Sequence, residues 1–131
     1  MKEYIKEIIR EEMQRSMKTY YFMAGLPRSG STVLSAILNQ NPRFYSGPSS
    51  PVIPMMYSIE HHIEQDELYH GFPKPEQIHN IIKNIINQFY GDIDKPVVFD
   101  KNRAWTARVP YIEDYIGQQA KIICPVRDID E

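Results

Sequence analysis

Apolar residues recur at helical spacing in three stretches of this chain and form short unbroken runs in three others. Ile5, Ile8, Ile9, Met13 and Met17 share one face of residues 3–17, with Glu, Lys and Arg between them, and predict an amphipathic helix. Residues 75–90 carry the clearest pattern. There Ile78, Ile81, Ile82, Ile85, Ile86 and Phe89 make one stripe, Pro75 suits the first turn and Gly91 the stop. Residues 52–69 predict another helix, with Pro54 near the start, where proline is tolerated. The runs from Thr19 to Ala24, "PVVFD" at 96–100 and "KIICPVR" at 121–127 predict buried strands, although Pro125 removes a ladder donor from the last. Ser31 to Gln40 predicts a helix after the first strand. "AWTARVPYIEDYIG" predicts one bent or restarted at Pro110 and closed by Gly117. "NPRFYSGPSSP" reads as a loop by its Pro, Gly and Ser content.

Strands alternating with helices imply an α/β fold, a parallel sheet flanked by helices with right-handed crossovers. Residues 1–18 stand apart as an N-terminal helix, and 19–131 form the α/β domain. In such sheets ligands bind beyond the carboxyl ends of the strands. The loop after Ala24, the residues after Phe99 and those around Arg127 are therefore expected to converge on one crevice.

Composition narrows the partners. The chain has 131 residues, 42% hydrophobic and 24% charged, with 15 basic and 17 acidic side chains and a formal charge of −2. That balance gives no global attraction to nucleic acid or anionic membrane, so any anion site must be local and neither partner is expected. A single cysteine, Cys124, excludes an intramolecular disulfide and fits a reducing compartment. No apolar run approaches the ~20 residues of a membrane span. The N-terminus is too charged for a secretory signal, so a cytoplasmic location is the expectation. Oligomeric state is not encoded in any pattern here.

The chemistry concentrates in "GLPRSGST". Gly25, Gly30, Ser31 and Thr32 overlay the phosphate-loop pattern G-x-x-x-x-G-K-[ST] at every fixed position except the lysine, where Ser31 stands. Glycines let the backbone turn tightly and approach phosphate oxygens. The N–H groups of Ser29 to Thr32 and the helix behind them would face an anion. Arg28 puts a planar cationic fork inside the loop. A Gly/Pro turn without function has similar residues. The strand before, the helix after, the Ser-Thr pair and the internal arginine together favour anion binding. Lysine and magnesium neutralise the β- and γ-phosphates of nucleoside triphosphates, whereas a sulfuryl donor carries less charge at its reacting centre.

"GLPRSGSTVLSAILNQNP" closely resembles the 5′-phosphosulfate loop of the sulfotransferases, nearest the branch containing the tyrosylprotein and bacterial enzymes. The resemblance implies a P-loop-like three-layer fold. It also implies 3′-phosphoadenosine 5′-phosphosulfate as donor, no metal, and transfer to a hydroxyl or amine acceptor whose identity stays open. It assigns Arg28, Ser29, Gly30, Ser31 and Thr32 to the 5′-phosphosulfate. "KIICPVRD" is similar to the family strand that delivers an arginine to the 3′-phosphate, which implicates Arg127. Lys101, just past "VVFD", stands where the family commonly keeps a lysine for charge on the bridging oxygen. Asn102 and Arg103 are neighbours for the acceptor. The family's base-bearing stretch corresponds to Gly47-Pro48-Ser49-Ser50, without a carboxylate. Glu60, His61 and His62 lie further on, so the base is unassigned.

Family domains are usually longer, and the later serine and glycine-rich cover are not within these residues. Residues 19–131 are therefore expected to be the N-terminal portion of such a domain, a truncated form or fragment. Two alternatives remain: a P-loop kinase, with Asp100 as its magnesium ligand, and a non-catalytic nucleotide-binding remnant.

Overall fold

Residues 1–16, 18–25 and 30–126 are described by the structure, a computed structural model. The three apolar runs form strands β1 (Thr19–Met23), β3 (Val97–Lys101) and β4 (Ile122–Ile123). A further strand, β2 (Phe44–Ser49), occupies the segment that the sequence suggested was a loop. All pair in parallel, in the order β2-β3-β1-β4. The turn residues Gly47 and Pro48 are compatible with a strand because β2 is an edge, and its register shifts between Ser46 and Ser49 where they fall. The outward backbone of Ser46 is not left open: the Asn39 side chain accepts from its N–H (2.8 Å) and donates to its carbonyl. β4 is shorter than the predicted 121–127 run. It ends before Pro125, which cannot donate to a ladder.

The helices are α1 (Lys2–Ser16), α2 (Ser31–Leu38), α3 (Val52–Gln65), α4 (Glu67–Gly71), α5 (Pro75–Phe89) and α6 (Val109–Tyr111). The single helix expected over 52–69 is two. Asp66 leaves helical geometry (φ −87°, ψ 116°) and its carboxylate accepts from the N–H groups of Leu68 and Tyr69, starting α4. The stretch after β3 is bent, as Pro110 foretold. A 3-10 turn at Arg103–Ala107 leads into α6, which continues as a π-helical turn, Ile112–Ile116. Gly117, at φ 79°, closes it by donating to the Ile112 carbonyl (2.9 Å). Through residue 10, α1 is exposed, and Ile5, Ile8 and Ile9 are uncovered.

Strand order decides which helix covers which face. The chain moves from β1 past β3 to β2, then back to β3, then past β1 to β4. With right-handed crossovers, these opposite directions put α2 on one face and α3, α5 and α6 on the other. Side chains follow. Tyr20, Phe22, Val98 and Trp105 pack with Val52, Ile53, Met56, Ile82, Ile86 and Ile112 in the main core. Phe22 meets Trp105 at 4.4 Å between ring centroids. On the α2 face, Tyr21 stacks on Phe99 and Phe44 meets Phe99 edge-on. There Ser35 of α2 accepts from Ser46 and sits over the Met23 sulfur.

Candidate active site

Connections leave β1 and β3 in opposite directions over opposite faces, so a crevice opens between their carboxyl ends, where α/β sheets take ligands. Its walls are held by main-chain bonds. Asn102 N–H donates to the Met23 carbonyl (2.9 Å), Ser50 N–H to that of Lys101 (2.7 Å), and Ala24 N–H to that of Ile123 (2.9 Å). The ends of β1, β3 and β4 thus meet as the topology predicts, and the end of β2 joins them through Ser49 and Ser50.

Gly30 starts α2 at φ 94°, ψ 11°, a left-handed conformation that glycine adopts without penalty. Ser31 and Thr32 form the first turn behind it. Among the described residues no side chain caps this helix end, and no acidic residue lies in its first turn. The first N–H groups of a helix lack intrahelical partners, so this helix start could donate to an anion. Arg28, Ser29 and Arg127 lie outside the described residues.

Lys101 ends β3 opposite Met23 and is half-buried. Alternation along the strand puts Val98 and Asp100 in the main core and Phe99 and Lys101 on the other face. That is the face covered by α2. Lys101 and the start of α2 therefore share one side of the sheet at one end of it.

Asp100 turns the other way. It is fully buried; its Oδ1 accepts from Trp105 Nε1 and its Oδ2 from the Tyr90 hydroxyl, each at 2.7 Å. Burial pushes its pKa up, opposed by the nearby Ser50 hydroxyl and by the hydrogen bonds from Tyr90 and Trp105. Tyr90 is raised in turn by burial and then by this carboxyl. A carboxyl so engaged on the core face is not available to a magnesium ion in the crevice. Among the described residues no group of three or more His, Cys, Asp or Glu side chains could hold a metal.

Asn102 is likewise committed. Its Oδ1 accepts from Ala104 N–H (2.9 Å) and its Nδ2 donates to the Ser50 carbonyl (3.0 Å), tying the strand end to the start of α3. Arg103 beside it is exposed. Glu60 lies two turns into α3, about 12 Å along the helix from Val52 at 1.5 Å per residue. Its carboxylate accepts from the hydroxyls of Tyr111 (2.8 Å) and Tyr115 (2.6 Å). Burial and this carboxylate raise the Tyr111 pKa to about 12. His61 stacks on Tyr57, and His62 pairs with Asp66 at 2.7 Å. This run braces helices away from the crevice. A large apolar groove of about 650 Å³ also lies elsewhere, along α3 and α5 between Met55, Ile81, Ile85 and Phe89.

Sequence reasoning missed Asn39, Ser35, Ser50, Tyr90 and Trp105. The last two carry a signal in retrospect: an aspartate inside an apolar strand needs donors, and aromatic residues with polar tips supply them in a core. No helix among the described residues is long and apolar enough to cross a membrane. Comparison with known families gives a match to the sulfotransferase family over residues 21–131. No curated protein matches the chain.

Proposed function

Because this chain belongs to the sulfotransferase family, we propose that its strand-end crevice binds 3′-phosphoadenosine 5′-phosphosulfate and directs its sulfuryl group to a hydroxyl or amine acceptor. The observation that carries this is the shared face: an uncapped helix start behind Gly30 at φ 94°, and Lys101 on the same side of the adjacent strand. The backbone N–H groups of Ser29 to Thr32 and the Arg28 guanidinium hold the phosphosulfate oxygens. Arg127 meets the 3′-phosphate. Lys101 stabilises the charge that gathers on the bridging oxygen as the acceptor oxygen or nitrogen bonds to sulfur and the S–O bond to phosphate breaks. The products are the sulfated acceptor and adenosine 3′,5′-bisphosphate, with the acceptor proton passing to a base not assigned to any residue.

The kinase alternative loses its magnesium ligand, because both oxygens of Asp100 are taken on the core face. Isothermal titration separates the readings. Adenosine 3′,5′-bisphosphate should bind with chelator present, and Arg28→Ala should abolish that binding. Magnesium-dependent binding of ATP instead would restore the kinase reading. Binding of neither would leave a non-catalytic remnant.

A further inference from the structure

Asp100 is a buried carboxyl that the proposed chemistry does not use. Its two hydrogen-bonding partners come from two different elements. Trp105 lies in the 3-10 turn leaving β3 and Tyr90 caps the end of α5, while Ser50, between β2 and α3, lies near the same carboxyl. Ser50 is itself fixed, since its hydroxyl accepts from Val52 N–H (3.0 Å) and its carbonyl from Asn102 Nδ2. Asp100 is thus the common acceptor of a knot that holds the turn after β3 to the main core. The next residue is Lys101. On a strand, fixing one side chain inward fixes the direction of its neighbour outward, because successive side chains point to opposite faces.

We propose that Asp100 is a positioning residue for Lys101. Its hydrogen bonds from Trp105 and Tyr90 anchor the end of β3, so that the lysine is held on the α2 face beside the start of that helix. This rests on the sulfotransfer reading for what Lys101 does there, but the anchoring is a property of the geometry alone. An amine that acts as charge develops in the transition state must be held before the reaction, and small misplacements cost rate rather than ground-state affinity.

The test uses Tyr90→Phe, which removes one donor and keeps the ring packed on Phe89, Tyr45 and Tyr20, and Asp100→Asn as a stronger variant. Turnover is followed as release of adenosine 3′,5′-bisphosphate from the donor with a simple phenol as acceptor. Tyr90→Phe should lower kcat about tenfold while the donor KM stays within about twofold. In a Lys101→Ala background, Tyr90→Phe should have no further effect, because positioning acts through the lysine; additive losses mean a structural role only and overturn the proposal. Equal losses in affinity and kcat overturn it as well.

A second readout does not depend on the donor. The acetylation rate of Lys101 relative to Lys83, read by mass spectrometry, should change by roughly threefold or more in Tyr90→Phe, because releasing the anchor changes how far the amine is exposed to the reagent. An unchanged ratio overturns the proposal even if the protein has no sulfotransferase activity. A changed ratio without donor binding keeps the anchoring and removes the assigned chemistry. Should Asp100→Asn fail to fold, Tyr90→Phe decides alone.

Discussion

Gly30 and Gly117 provide a matched pair for testing whether backbone conformation at the crevice serves binding as well as folding. Both are left-handed, at φ 94° and 79°, and a Cβ built on either meets nothing within 4 Å. Alanine at either position therefore pays for dihedral strain and not for a clash, about 1–2 kcal/mol for an L-residue in this region. Unfolding entropy of about 2.1 cal/mol/K per residue gives about 0.28 kcal/mol/K for a chain of this length, so each variant should melt about 4–7 °C lower. The stability losses should match, and the binding losses should not. Gly30 orients the first N–H groups of α2, whereas Gly117 closes a helix that lies off the crevice. Losing one charge-assisted hydrogen bond of about 1.5–3 kcal/mol should weaken binding of adenosine 3′,5′-bisphosphate by about 10- to 150-fold in Gly30→Ala. Gly117→Ala should bind as the parent does. Calorimetric melting and titration on the same samples give both numbers. Equal binding in the two variants would show that the turn at Gly30 serves the fold alone.

Two further outcomes follow from side chains outside the crevice. Asn39→Ala removes both hydrogen bonds to the outward backbone of Ser46 and should cost about 1–2 kcal/mol. It also opens the β2 edge, so light scattering should detect association that the parent lacks. Burial first, and the Asp100 charge second, raise the Tyr20 pKa from 10.0 to about 12. The folded state therefore keeps this proton longer than the unfolded chain. Its contribution to stability is complete below pH 10 and is lost as pH rises toward 12. Absorbance of tyrosinate should show Tyr20→Phe lacking one late-titrating group, and alkaline unfolding should move to higher pH in that variant.

What the sequence made legible was governed by period and by punctuation. The α5 stripe from Ile78 to Phe89 is long enough that only a helix satisfies it, and the helix runs Pro75–Phe89 as its proline and glycine foretold. The strand-end crevice was legible for the same reason: once β1 and β3 are parallel, their carboxyl ends must adjoin. β2 was hidden. Its Gly47 and Pro48 are turn residues in isolation, and only the lateral support of β3 and the Asn39 side chain turns "FYSGPS" into an edge strand. The break at Asp66 was hidden too, because an aspartate suits a helix surface as well as a cap until the backbone is seen to turn. Lys101 was singled out by the family resemblance, and the fold puts it at the end of β3. The partners of Asp100 left only the weaker signal of nearby aromatic residues with polar tips, and which of them turn inward is decided by the packed sheet.

The dipeptide Asp100-Lys101 concentrates the physical logic of this end of the sheet. Alternation forces one of the two into the core and the other into the crevice. The core alternative is tolerable for the carboxyl because the Tyr90 hydroxyl and Trp105 Nε1 both donate to it there. For an ammonium group, the same pocket of Trp105, Tyr90 and Ser50 would offer far less compensation for lost hydration, because Trp105 Nε1 can only donate. A slip of β3 by one residue would exchange the two, sending the lysine inward and the aspartate toward the bare N–H groups of α2. An aspartate there would occupy the anion position itself and repel any anionic ligand. Satisfying the core and placing Lys101 on the α2 face thus select the same register, so under the proposed function the constraint that folds the end of β3 also turns a lysine toward the crevice.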